Sequence, residues 1–239
     1  MNQSVAATAS VWCLALAAAL AGGAGRAESL PREQIAQRLA SPPADFRDLE
    51  APGADLSGMD FAGVTLFGAN LKGANLSNAN LARCNLNVAI LRDAVLVNAD
   101  LRDANLFSTV LANADLTKAD LRGARLMGNL ERAKLEGANL EGVQGGADMR
   151  NQPMGLVRLV LAGARLKSAR LAQANLSRAD LSYADLREAD LSGVDLTKAK
   201  LVGADFTGAT LTDATLDGAE IDQAIFTGAV GISTVRGLE

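Results

Sequence analysis

The side chains with the most obvious chemical potential in this 239-residue chain are its aspartates. Asp100, Asp115, Asp120, Asp180, Asp185, Asp190 and Asp195 recur at intervals that are multiples of five. Paired carboxylates serve as acid and base, or acid and nucleophile, when both converge on one substrate. Clustered oxygen ligands hold calcium. Cys84 is a second candidate, because a thiol becomes a nucleophile once ionised; the other cysteine is Cys13. There is no histidine, which removes the commonest general base and the commonest metal ligand together. No phosphate loop of the P-loop or dinucleotide type is present, and most of the 23 glycines are expected at corners of the chain path.

Whether the aspartates can act together depends on what positions them. From Ala54 the chain reads ADLSG MDFAG VTLFG ANLKG ANLSN ANLAR CNLNV AILRD, and continues with a period of five. The middle residue is Leu66, Leu71, Leu76, Leu81 and so on, and the residue two before it is nearly always alanine. A helix cannot keep one face at that spacing, because 3.6 residues per turn walks it around the axis. A flat strand alternates with period two. A coil whose sides are each one unit long satisfies the pattern: alanine and leucine point inward, and the other three positions face water or turn the corner. Four sides make a coil of about 20 residues, and coils stack at about 4.8 Å. Hydrophobic residues are 49% of the chain but aromatics only 3%, which fits a thin, regular core of alanine and leucine.

The pattern A-(D/N)-L-X-X resembles the pentapeptide-repeat family over about residues 52 to 230. The resemblance implies an all-β fold, a right-handed quadrilateral β-helix. In that frame consecutive aspartates sit on consecutive sides and point apart, so they serve solubility and local backbone hydrogen bonding. Cys84 takes the inward alanine position and is expected to be a buried core thiol. No catalytic residue, cofactor or metal is expected, and the chain is not expected to be an enzyme. The Gly-rich nine-residue repeat of calcium β-rolls is absent.

The organisation follows from the breaks. Residues 1–27 are expected to be a signal peptide: Val11 to Gly25 is an uncharged apolar run too short to span a membrane, with cleavage after Ala27. Removing them leaves 22 basic residues against 27 acidic, a net charge of -5, and one cysteine. A periplasmic or secreted location is expected, with no stable membrane span after cleavage; an uncleaved anchor or a cytoplasmic chain is the alternative. Residues 28–51 form an N-terminal segment whose PREQIAQRLA stretch predicts a short capping helix, with proline at its start. The first repeat block covers 52–140, with one residue dropped between Leu126 and Leu130. Residues 141–155 lose the pattern and predict a bulged loop. The second block covers 156–230, and the tail 231–239 is expected to close the far end.

Unrolling the rod in rows of 20 gives one further signal. On one side the outward residues after the centre are Phe67, Asn87, Phe107 and Met127. On the next side, those before the centre are Asn70, Ile90 and Val110, and Val88 lies at the corner between. Phe67, Val88, Ile90, Phe107, Val110 and Met127 therefore form a candidate protein interface along one edge. The expected function is a non-catalytic exported scaffold that binds a protein partner or itself through that edge. The mild acidity gives no reason to expect nucleic acid as a partner. The resemblance also carries an alternative, a cytoplasmic DNA mimic that binds DNA gyrase. Interspersed basic residues such as Arg102, Arg122 and Arg187 interrupt the continuous acidic face a mimic needs.

Overall fold

The computed structural model describes residues 30–41, 44–147 and 157–238. The expected signal peptide, Cys13 and residues 148–155 of the expected loop lie outside the described residues. Within them the chain is a parallel β-helix, and nearly all of its strand structure is single bridges between successive coils. Four columns of bridges run along it, each joining residue i to residue i+20 in the first block: Asp45 to Thr65, Glu50 to Asn70, Asp55 to Asn75 and Asp60 to Asn80. The column that begins at Asp45 ends at Arg236 after nine steps, giving a rod about 43 Å long at about 4.8 Å per step.

One corner motif generates nearly every side. The leucine carbonyl accepts from the amide three residues on, as Leu71 does from Ala74 at 3.0 Å. The third residue of that turn has positive φ, a requirement of type II turns. Glycine fills the position where it can, as at Gly73 with φ 65°. Elsewhere a side chain is forced into the left-handed region, as at Asn78, Asp93 and Asn98. The aspartate or asparagine before the leucine accepts from the amide after it; Asn75 Oδ1 takes Ser77 N–H at 3.1 Å. The backbone then reaches the next coil, with Leu56 N–H donating to Asn75 O at 2.7 Å. The leucines and alanines of the inner columns are almost all fully buried in one continuous core.

Helix α1 (Arg32–Leu39) lies at the first coil with Pro31 at its N-cap. Its one fully buried residue, Ile35, joins the core near the edge-to-face pair Phe46–Phe61.

The dropped residue is absorbed between β1 (Asn105–Val110) and β2 (Arg125–Asn129). Phe107 pairs with Met127, but Thr109 pairs with Gly128, so Ser108 has no counterpart. Ser108 is the left-handed corner residue of its side, and that slot is the one β2 lacks. Gly128 thereby moves into the inward small-residue position. A Cβ there would stand 2.2 Å from the Thr109 carbonyl oxygen. Thr109 is itself buried, and its hydroxyl donates to Leu86 O at 2.9 Å.

Two expected boundaries shift. The regular ladder does not stop at residue 140: Gln144 bridges both Arg125 and Asn175, because Val143 takes the inward alanine position and is fully buried. It resumes at Leu159 and Val160, with Val160 over Asn129. The tail does not lie across the far end. Arg236 bridges Thr215 and so completes one side of the last coil.

Gly128→Ala is expected to lower the unfolding free energy by about 2 kcal/mol or more, since backbone must move to admit the methyl. Gly73→Ala, with open space around its Cβ position, meets only the left-handed penalty of about 1 kcal/mol. Urea melts of the two variants compare these costs; equal midpoints would show that the close approach at Gly128 does not matter.

Candidate interaction edge

The structure brings five of the six candidate interface residues to one outer edge and removes the sixth. Phe67, Val88 and Ile90 are exposed, at 40%, 43% and 41%. Phe107 and Val110 are half-buried. Ile90 bridges Val110 directly, so the two stack in one column. The Arg125 guanidinium sits 4.8 Å from the centre of the Phe107 ring and covers part of it. Met127 was expected to face outward but is only 3% exposed. It lies on the shortened side, directly beneath the interruption between Gln144 and Val160, and the regular row spacing no longer sets its direction.

Val88 is held in the left-handed region at φ 55°. A β-branched side chain is strained there, because its Cβ crowds the following carbonyl. Most other corners carry glycine or a polar residue, so this is an apolar group kept exposed at a conformational cost.

Sequence reasoning missed Val95 at the outward position one side further on, and Tyr183, at 67% the most exposed large hydrophobic side chain among the described residues. Tyr183 occupies a corner slot and lies over Gly203, where a Cβ would meet its ring at 2.6 Å. It also missed Ile225 and Val230 in the last coil, which the repeat pattern does not distinguish from interior coils.

The aspartates behave as backbone and arginine acceptors. Asp100 accepts Arg102 Nε at 2.8 Å and Asp185 accepts Arg187 Nε at 2.7 Å. Asp100 and Asp120 do stack one coil apart, but each holds its own arginine, Arg102 or Arg122. Among the described residues no group of three or more Cys, Asp or Glu is placed to hold a metal ion. Cys84 is buried, its Sγ lies 2.7 Å from Phe61 O, and burial pushes the thiol up to about 12. A thiol so protonated is a poor nucleophile.

The chain matches the family model for pentapeptide repeats in 8 copies, over residues 69–107, 108–128, 160–197 and 189–228. It is a pentapeptide-repeat protein. Among solved pentapeptide-repeat structures, it is similar to HetL, involved in heterocyst differentiation regulation in the cyanobacterium Nostoc sp. strain PCC 7120. They share 30% identity over 84% of this chain and 94% of HetL, with a TM-score of 0.50. It is also similar to QnrB1, a plasmid-mediated fluoroquinolone resistance protein, at 21% identity over 76% of this chain and 89% of QnrB1, with a TM-score of 0.37. A pentapeptide repeat protein of the Arabidopsis thaliana thylakoid lumen aligns at 25% identity over 74% of this chain and 68% of its own, with a TM-score of 0.25. No curated protein sequence matches the chain. The right-handed β-helix of the family is the fold seen here.

Two outcomes are expected for this pentapeptide-repeat protein. Val88→Asn places a residue tolerant of the left-handed region at the corner and should raise stability by about 1 kcal/mol in a thermal or urea melt; a loss would mean that Val88 packs rather than strains. The second concerns pH. The Arg102 hydrogen bond holds the Asp100 carboxyl below its ordinary value, and the Arg187 hydrogen bond does the same for Asp185. Carboxylates depressed in the folded state add stability above their unfolded pKa and lose it as pH falls through the folded one. Stability should therefore hold steady above pH about 4 and fall below it. Asp100→Asn with Asp185→Asn should flatten that fall, since the amide still accepts from the backbone but does not titrate.

Proposed function

We propose that the chain is an exported, non-catalytic scaffold whose rigid rod presents the Phe67–Val88–Ile90–Phe107–Val110 edge to a protein partner or to a second copy. The single observation behind this reading is the set of three large apolar residues left exposed together, one of them, Val88, in a strained corner. Exposed apolar clusters on a polar surface mark interfaces, and a solenoid's usefulness lies in its long, stiff side.

Two finer features of the fold belong to the same reading. The four bridge columns support a quadrilateral cross-section, each side one pentapeptide long. The burial of Ile35 supports α1 as a cap over the first coil. The described residues include no helix long and apolar enough to cross a membrane. Export rests on the apolar run from Val11 to Gly25 and the small residues before Glu28. Ion pairs from Arg102, Arg122 and Arg187 to neighbouring aspartates weigh against the gyrase-binding mimic, which needs unpaired acidic charge.

Two measurements test the proposal. Fractionating cells and taking the intact mass should find a periplasmic or secreted species that begins at Glu28. A cytoplasmic species that keeps Met1 rejects export and makes a gyrase supercoiling assay the next step. For the edge, a photo-crosslinking residue at position 88 should yield a protein adduct in cells, and one at position 173, on another side, should not. Ile90→Asp with Phe107→Asp should abolish the adduct. Equal adducts at both positions, or an adduct indifferent to the double substitution, would falsify the edge as the binding surface.

A further inference from the structure

Beyond the interruption, the corner column that holds Val88 becomes basic. Val88 stands two residues before Ile90, in a bridge column that runs on through Val160, Asp180 and Lys200. Two residues before each of these last three stand Arg158, Arg178 and Lys198. The three cations therefore lie on three successive coils, in a line along the rod at about 4.8 Å per coil. Lys200 adds a fourth on the adjoining side. Like charges so placed repel one another, and Arg178 and Lys198 also hold left-handed backbone, φ 62° and 56°. Arg102, Arg122 and Arg187 each hold an aspartate. None of these four side chains has a hydrogen bond or ion pair among the described residues.

The other corner of the same side carries Tyr183. Its ring lies against Gly203 of the next coil, where a Cβ would stand 2.6 Å from two ring carbons, and most of it stays exposed. Its hydroxyl makes no hydrogen bond among the described residues. The coils before and after carry Gly163 and Gly203 in that slot, so the ring has no aromatic neighbour along the corner. Between the two corners the outward residues are small: Ala162, Ser182 and Val202. Ser182 is buried, and its N–H and hydroxyl both donate to Asp180 Oδ1, at 3.0 and 2.6 Å. Asp180 Oδ2 is left without a partner among the described residues. The side is thus a shallow trough one pentapeptide wide. Cations line one rim, an aromatic ring stands on the other, and a single carboxylate oxygen lies in the floor.

We propose that this trough binds a linear acidic polysaccharide, a chain of uronic acid units lying along the rod. The set of groups selects that ligand. A line of cations calls for a ligand with repeated anionic groups, and guanidinium and ammonium groups make charge-assisted hydrogen bonds to carboxylates. Asp180 repels a ligand that offers negative charge alone, but its unpartnered oxygen accepts from a sugar hydroxyl. A pyranose ring also presents a face of C–H groups, and these pack on an aromatic ring whose face is the negative end of its quadrupole. A single nucleic-acid strand fits less well. Proteins that hold such strands stack successive bases on successive aromatic rings, and here Tyr183 has glycine on either side. The trough lies after the interruption and the Phe67–Val110 edge before it, so the two surfaces are independent.

Titration calorimetry of the full chain with polygalacturonate should show binding that weakens about tenfold or more between about 50 and 200 mM salt. Neutral dextran and poly-glutamate should each bind about tenfold more weakly or worse. Arg178→Asn with Lys198→Asn, at corners whose left-handed backbone suits asparagine, should weaken binding about tenfold and flatten its salt dependence. Tyr183→Asn should weaken it about fivefold and leave the salt dependence unchanged. Ile90→Asp with Phe107→Asp should leave binding as it is. No binding to polygalacturonate, or full affinity in the Arg178→Asn, Lys198→Asn variant, overturns the proposal. Equal affinity for poly-glutamate reduces the trough to an unselective basic surface and overturns the sugar assignment. Tighter binding of oligothymidylate overturns it too, and assigns the trough to a nucleic-acid strand.

Discussion

A chain that turns a corner every five residues must place one residue of each five at positive φ, and the whole architecture depends on that demand. The left-handed residue aims the next amide and carbonyl along the rod, where they meet the coil above. It also directs the following alanine inward, next to the backbone of its own corner. Alanine is small enough for that place and leucine long enough to reach the axis, so the composition of the core follows from the geometry of the turn. The Asp or Asn before each leucine belongs to the same arrangement, because its side chain engages an amide that the corner leaves free. What looks in the sequence like a row of catalytic acids is the polar half of a turn.

Where the turn is altered, the consequences are local and specific. Removing the left-handed residue from one side pulls Gly128 against the Thr109 carbonyl and draws Met127 out of solvent. Putting valine into the left-handed slot at position 88 keeps the turn but exposes an apolar group under strain. In the first coil the carbonyls of Asp45, Asp55 and Ser57 accept from Arg38 and Arg32 rather than from another coil. The rod is therefore uniform in its interior and individual at its edge, its break and its first coil.

The interior was legible because it is periodic. The inward places of Leu66, Ala69 and Cys84 follow from counting by five, and the stacking of Ile90 on Val110 from counting by 20. Counting fails where the period does. The interval from Leu126 to Leu130 shows that a residue is missing, but not that the corner slot is the one lost, so the row spacing points Met127 outward although it is buried. The centre that follows Leu140 is Gly145 rather than leucine, so the sequence ends the ladder at 140, although Val143 is buried in the alanine slot and Gln144 bridges both neighbouring coils. Tyr183 and Val95 give no periodic signal, being single departures in slots that accept many side chains.

The side between Gln144 and Val160 joins the same two ladder columns that five residues join elsewhere, yet it spends sixteen steps of chain doing so. Both anchors are bridged to the coils before and after them, so the stack passes this point without a gap. The free energy of closing a segment of chain between fixed ends grows only logarithmically with its length, by about 0.6 kcal/mol per doubling. At this corner the rod behaves as a frame with a socket. Chain can be added or exchanged there at little thermodynamic cost, and the frame sets where along its length, and on which side, any grafted sequence is displayed.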